Sequence, residues 1–215
     1  MVNMNKKEFL KEIEKLNIKL TTVQLEKLDK FYNLLVKWNK KINLTRIIEE
    51  EDVYLKHFYD SLTITKIVDL NEIDTLCDVG TGAGFPGIVL KIVYPNLKIT
   101  LIDSLLKRVK YLNEVIKELE LDGIEAIHTR AEDYKEKYDV VTARAVANIE
   151  KLLKYTMHLV DKKGMFIAMK GNIEEELSEE VINKINKEYK IEKIEKFKLP
   201  KENSTRSLVV IKNYI

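Results

Sequence analysis

The chain has 215 residues, enough for one large domain, or one domain with a helical appendage, that buries roughly 70% of its unfolded surface. It is 45% hydrophobic and 33% charged, and its 37 Lys and Arg against 35 Asp and Glu leave a formal charge of +2, which excludes nucleic-acid binding by bulk charge but not by a local basic patch. The single cysteine, Cys77, excludes an intramolecular disulfide and a cysteine-rich zinc site, and His57, His128 and His158 are too scattered for metal-ligand spacing, so no metal is expected.

The amino terminus carries charges throughout and lacks the apolar core of a signal peptide, and no run approaches the roughly 18 apolar residues of a membrane span, which points to the cytoplasm. Residues 1–70 read as a helical extension: Phe9, Ile13 and Leu16, then Leu25, Leu28, Phe31, Leu35 and Trp38, recur at threes and fours. Thr21 or Thr22 is placed to cap the second helix, and Trp38 at helical spacing from Leu35 fits a core position better than a base-stacking one. Lys6, Lys7, Lys11 and Lys15 alternate with Glu8, Glu12 and Glu14, the pattern of a solvated face.

From residue 75 the period changes. Strands are predicted at 75–79, 98–102, 124–128, 138–143 and 165–169, with helical patterns between them at 88–93, 109–119 and 148–160. This alternation predicts an α/β domain over 71–215 with a mostly parallel sheet. A charged helix over 173–188 precedes two further strands, 191–197 and 207–211, whose short link predicts an antiparallel pair at the sheet edge.

Four of the seven glycines, Gly80, Gly82, Gly84 and Gly87, fall in the segment TLCDVGTGAGFPG, which reads as a strand, a sharp turn and a helix start. Such a turn lets backbone approach a nucleotide-like ligand at the carboxyl end of a parallel sheet. The spacing Gly82, Gly84, Gly87 matches the dinucleotide fingerprint G-x-G-x-x-G, a weak signal on its own. Asp78, two residues before Gly80, gives the order acid, apolar, G-x-G-x-G, which resembles the first motif of class I methyltransferases that use S-adenosylmethionine. Asp103 ends the second strand, where a carboxylate can accept ribose hydroxyls of either cofactor. Cys77, inside the first strand, reads as core rather than as a nucleophile.

The segments WNKKINLT (38–45), HFYDSL (57–62), DVGTGAGFPG (78–87), LIDSLLKR (101–108), RAED (130–133), ARAVAN (143–148) and KG (170–171) follow one another in this order. Together they closely resemble the bacterial 16S ribosomal RNA guanine-7 methyltransferase family, also called glucose-inhibited division protein B or small-subunit rRNA methyltransferase G, over about residues 31–212. The one departure is Ala143, where the family more often has serine. The resemblance implies a Rossmann-like seven-stranded class I methyltransferase. It would move a methyl group from S-adenosylmethionine to the seven-position nitrogen of one guanine in 16S RNA, alone or in the small ribosomal subunit, leaving S-adenosylhomocysteine. A monomer is expected.

The resemblance assigns Gly80, Phe85, Ala131, Glu132 and Arg144 to the cofactor, with Gly82 and Gly84 in the same loop. The strand-end positions add Asp78 and Asp103. Phe85 has the alternative of a hydrophobic plug, and Arg144 that of a surface ion pair. Lys107, Arg108, Lys170 and Arg206 are the candidate RNA contacts, placed to line one rim, and Trp38, Lys40, Lys41 and Arg46 form a second basic group. His57 and Asp60, three apart on a predicted helix, could share a face near the site or serve packing and capping. The alternatives to the implied activity are methylation of another RNA or of a small molecule, a nicotinamide-dependent oxidoreductase, and an RNA-binding module without turnover.

Overall fold

A computed structural model describes residues 4–145 and 147–214; Val146 of the ARAVAN segment lies outside them. Helices α1 (Lys6–Glu14) and α2 (Thr22–Ile42) open the chain, followed by a continuous helical stretch. That stretch begins as α3 (Glu50–Val53), widens into a π-helical segment (Tyr54–Tyr59), and closes with α4 (Asp60–Leu62) and a tight 3₁₀ turn (Thr63–Lys66). Then come β1 (Thr75–Val79), α5 (Gly87–Val93), β2 (Lys98–Asp103), α6 (Leu106–Glu118), β3 (Ile124–His128) and β4 (Tyr138–Arg144). The chain finishes with α7 (Ile149–Thr156), β5 (Val160–Lys170), α8 (Glu179–Glu188), β6 (Tyr189–Lys198) and β7 (Thr205–Asn213).

The seven strands form one sheet in the order β3-β2-β1-β4-β5-β7-β6, parallel except for β7, which runs antiparallel to both of its neighbours. The chain winds outward from β1 to β3, then returns to β4 on the other side of β1. The crevice outside the carboxyl ends of β1 and β4 is therefore the topological switch point, where open α/β sheets take ligands.

Strand side chains alternate between two apolar layers, as a sheet covered on both faces requires. Leu76, Val140, Ile167 and Met169 enter one layer, while Cys77, Val141, Phe166 and Ala168 enter the other with Leu152 and Leu153 of α7. The helical extension belongs to the first layer: Phe9, Leu28, Phe31, Leu35, Tyr54 and Phe58 share one buried cluster with Ile88, Leu101 and Leu112 of the sheet half. Burial of each such side chain contributes about 1.5–3 kcal/mol, so the described part of the helical extension is packed onto the sheet rather than tethered to it.

Polar contacts fix the docking. Thr21 caps α2 in a reciprocal box with Gln24, its Oγ1 accepting from Gln24 N at 3.2 Å and its own N–H donating to Gln24 Oε1 at 2.9 Å. Gln24 Nε2 also donates to the carbonyls of Ile92 and Val93 at the end of α5, at 3.1 and 2.9 Å. Lys27 and Lys30 donate to the carbonyls of Glu120 and Glu118 at the end of α6, where a cation complements the helix dipole.

Two predicted boundaries move furthest. The helix expected over 173–188 starts at Glu179, because Ser178 accepts from Val181 N and caps it there. The fifth strand extends back to Val160, through Gly164, where a Cβ would lie 2.7 Å from Asp139 O.

Candidate active site

The loop after β1 is held from both sides. Gly80 N and Thr81 N donate to Ile102 O at 2.8 and 3.2 Å, which ties the turn to the end of β2. Gly82 takes φ +61° and a Cβ there would meet only Gly80 O at 3.9 Å, so the missing side chain leaves open space beside the loop. That space is part of a cavity of about 650 Å³, within the roughly 300–1,000 Å³ common for small-molecule sites.

Asp103, 2% exposed, lies at the cavity floor. Its Oδ2 accepts from Gly82 N at 3.0 Å and Arg108 Nη1 at 3.2 Å, and its Oδ1 accepts from Leu105 N at 2.9 Å. One carboxylate thus joins the glycine loop to the start of α6 and stands where the sequence placed a ribose acceptor.

Not every expected cofactor residue faces the cavity. Asp78 is wholly buried and lines no part of it. Its Oδ2 accepts from Thr81 Oγ1 at 2.7 Å and Gly87 N at 2.9 Å, while Oδ1 has no partner. Burial pushes this carboxyl up to about 6. Asp78 thus braces the loop from beneath, joining its start at Thr81 to its end at Gly87. Gly84 is likewise a packing glycine, since a Cβ would lie 2.6 Å from Ile88 Cγ1 and 3.2 Å from Leu112 Cδ2. Ala131, buried, and Glu132 form a 3₁₀ turn after β3 outside the cavity lining.

The opposite wall comes from three distant parts of the chain. Arg144, at the end of β4, donates through Nη1 to Lys56 O at 3.1 Å and Asp60 Oδ2 at 3.0 Å, and meets His57 Nδ1 through Nη2 at 3.2 Å. Its guanidinium lies 5.2 Å from the Phe85 ring centre, and His57 stacks on the same ring at 4.4 Å and 18°. Arg206, beginning β7, donates from Nε to Asp60 Oδ1 at 3.2 Å. His57 Nε2 is 3.0 Å from Thr45 Oγ1. Burial, then the adjacent Arg144 cation, lowers His57 to about 3, so its ring is neutral, with Nδ1 accepting from Arg144 and Nε2–H donating to Thr45.

The π-helical widening at Tyr54–Tyr59 carries His57 and delivers Asp60 at its end, so both line the cavity while His57 also packs on Phe85. Phe85 lines the cavity and is 4% exposed, packing on Phe31 and Phe58.

Of the four basic candidates, Arg108, Lys170 and Arg206 line the cavity and Lys107 stands exposed outside it. Lys170 is 9% exposed and paired with Glu176 at 2.8 Å, with a further bond to Ala147 O. In the second basic group, Trp38 is partly buried against the core, edge-on to Tyr111 at 5.8 Å and with Lys41 over its ring at 5.4 Å. Sequence reasoning missed Thr45 and Glu176 as parts of the site; the segment WNKKINLT held the first, and no signal marked the second.

The family model for "rRNA small subunit methyltransferase G" (GidB) matches residues 24–209. The chain belongs to this family. Among its relatives, the ribosomal RNA small subunit methyltransferase G of Bacillus subtilis is 44% identical over 97% of this chain and 90% of its own length. That of Staphylococcus epidermidis is 45% identical over 95% and 88%. Solved structures give the fold alone: a mitomycin 7-O-methyltransferase covers 90% of this chain and 69% of its own with a TM-score of 0.62 at 11% identity. A SAM-dependent methyltransferase from Aquifex aeolicus covers 82% of this chain and 97% of its own at 0.58 and 18% identity. The chain therefore has the class I methyltransferase fold, and none of its described helices is long and apolar enough to cross a membrane.

Proposed function

We propose that this protein methylates the seven-position nitrogen of a specific guanine in 16S ribosomal RNA, with S-adenosylmethionine as donor. The relatives carry ribosomal RNA small subunit methylation in their names, and the family's fold uses this donor. The cavity residues suit it: Gly82 leaves backbone room, Asp103 offers a sheltered carboxylate for ribose hydroxyls, and Phe85 and Arg144 close the far side. When bound, the cofactor supplies an electrophilic methyl group on a sulfonium.

The observation that carries the choice of a ring nitrogen is the state of the acceptor wall. His57 is neutral with both nitrogens hydrogen-bonded, and Asp60 and Asp103 are each engaged by two or more donors. Among the described residues lining the cavity, no side chain stands free as a base. A guanine N7 has a lone pair and no proton to lose, so in-line placement suffices. An oxygen or carbon acceptor would need a proton removed. Arginine donors at the wall also suit guanine O6 or a phosphate.

Incubation with methyl-labelled S-adenosylmethionine and unmodified 16S RNA or 30S particles tests this reading. Label is expected in 7-methylguanosine; label in another nucleoside alone, or none, would overturn it.

A further inference from the structure

Arg144 and Arg206 share one carboxylate, and they are not held alike. Asp60 accepts from Arg144 Nη1 at 3.0 Å and from Arg206 Nε at 3.2 Å. Arg144 keeps two further tethers, Lys56 O at 3.1 Å and His57 Nδ1 at 3.2 Å, and lies over Phe85. Arg206 has only one other bond, at 3.2 Å to the carbonyl of its own neighbour Thr205, which leaves three of its five N–H groups without a partner among the described residues. Both arginines line the cavity, and Asp60 is 6% exposed behind them.

The other cations of the wall are matched by acids: Lys56 sits 2.9 Å from Asp52 and 3.6 Å from Glu202, Lys170 is paired with Glu176, and Arg108 with Asp103. Among the described residues, only at Asp60 do two guanidiniums divide a single carboxylate, so neither has an acid to itself. The remaining N–H groups lie on Nη1 and Nη2, and a guanidinium held at Nε can present that Nη1–Nη2 edge to two oxygens of one phosphodiester.

We propose that Asp60 is a positioning residue, which fixes Arg206 so that its free N–H edge receives one phosphodiester of the RNA strand carrying the acceptor guanine. The inference rests on the reading of the protein as an RNA methyltransferase. Loss of the carboxylate therefore releases Arg206, while Arg144 keeps its bonds to Lys56 O and His57 Nδ1.

The test combines three variants, with S-adenosylhomocysteine binding, 16S RNA binding against salt, and steady-state methylation measured on each. Asp60→Asn leaves Arg206 charged but unfixed: RNA affinity is expected within twofold of wild type or tighter, S-adenosylhomocysteine affinity within twofold, and kcat at least tenfold lower. Arg206→Gln is expected to reduce the slope of log K against log[salt] by about 0.7–0.9, the value of one phosphate contact. Arg206→Lys should keep that slope and lose kcat as Asp60→Asn does, and it carries the test if Asp60→Asn does not fold. Wild-type kcat in Asp60→Asn, an unchanged slope in Arg206→Gln, or joint loss of melting temperature and cofactor binding in a folded Asp60→Asn would each overturn the proposal. A wild-type protein that makes no 7-methylguanosine while Arg206→Gln still loses its slope would instead sink the activity and leave the phosphate site standing.

Discussion

The two ends of the cavity are built in opposite ways. The cofactor end is local: the contacts that set it join Asp78 to Gly87, nine residues apart, and Gly82 to Asp103, twenty-one apart. The acceptor wall is assembled over long range, with Arg144 bonded to residues 84, 87 and 88 positions away and Arg206 to one 146 away. The first needs a strand, a turn and the next strand. The second exists only when the amino-terminal helices have packed on the finished sheet. The helical extension is thus a constructional part of the active site, because it supplies Thr45, His57 and Asp60 to the wall.

That contrast is open to attack from the cofactor end first, where the largest effect is expected. Asp103→Ala removes the acceptor of Gly82 N, Leu105 N and Arg108 as well as the proposed ribose partner. S-adenosylhomocysteine affinity should fall at least 100-fold, about 3 kcal/mol, by calorimetry; unchanged affinity would break the assignment. The glycines then separate loop packing from ligand space. Gly84→Ala forces a Cβ against Ile88 and Leu112 at φ +94° and should destabilise the fold by about 2–3 kcal/mol in a denaturant melt. Gly82→Ala, at φ +61° but in open space, should cost about 1–2 kcal/mol of stability while lowering cofactor affinity at least tenfold.

A pH series sharpens the comparison, because each end contains one buried group with a displaced pKa, and the two displacements act in opposite senses. His57 at the wall, lowered from 6.5 to about 3, takes a proton in the unfolded chain before the folded one, so its contribution to stability is lost as pH falls through that window. Asp78 at the loop, raised from 3.8 to about 6, keeps its proton longer in the folded chain, so its contribution is lost as pH rises through that window. Between about pH 4 and 6 the two slopes oppose each other. His57→Gln should therefore reveal stability that falls with rising pH, and Asp78→Asn stability that rises with it, each by up to about 1.4 kcal/mol per pH unit. Urea melts across this range check the sign; parallel curves for the two variants would contradict the placement of one group or the other. The smallest effect is expected at Lys107→Ala, exposed beside the cavity: a salt slope reduced by less than one phosphate contact, with cofactor affinity unchanged.

The same contrast explains what was legible in the sequence. Strand ends, the glycine turn and the place of Asp103 could be read because period-two burial and turn chemistry act over a few residues, and the mostly parallel sheet with an antiparallel pair at its edge follows from the alternation of the elements, while the strand order β3-β2-β1-β4-β5-β7-β6 comes from the structure. The place of Asp78 in the motif is visible in the sequence, while its bonds to Thr81 and Gly87 depend on a side-chain direction that is not. At the wall, the segment HFYDSL stood out, but the bond from Asp60 to Arg206 depends on a tertiary approach that no spacing encodes. Lys170 looked like a free cation for RNA and is largely buried against Glu176, which a sequence of nearly balanced charge conceals. Net charge of +2 carries little information here, since the cations that matter are those gathered at one cavity.

Nucleoside mass spectrometry of 16S RNA, recovered after incubation of unmodified small subunits with the purified protein and S-adenosylmethionine, tests the central claim most directly. The expected result is close to one added 7-methylguanosine per 16S molecule, strongly reduced in the Asp103→Ala and Asp60→Asn proteins. A methyl group on an exocyclic amine, a ribose or a pyrimidine carbon, or no modification by a protein that binds S-adenosylhomocysteine normally, would contradict it.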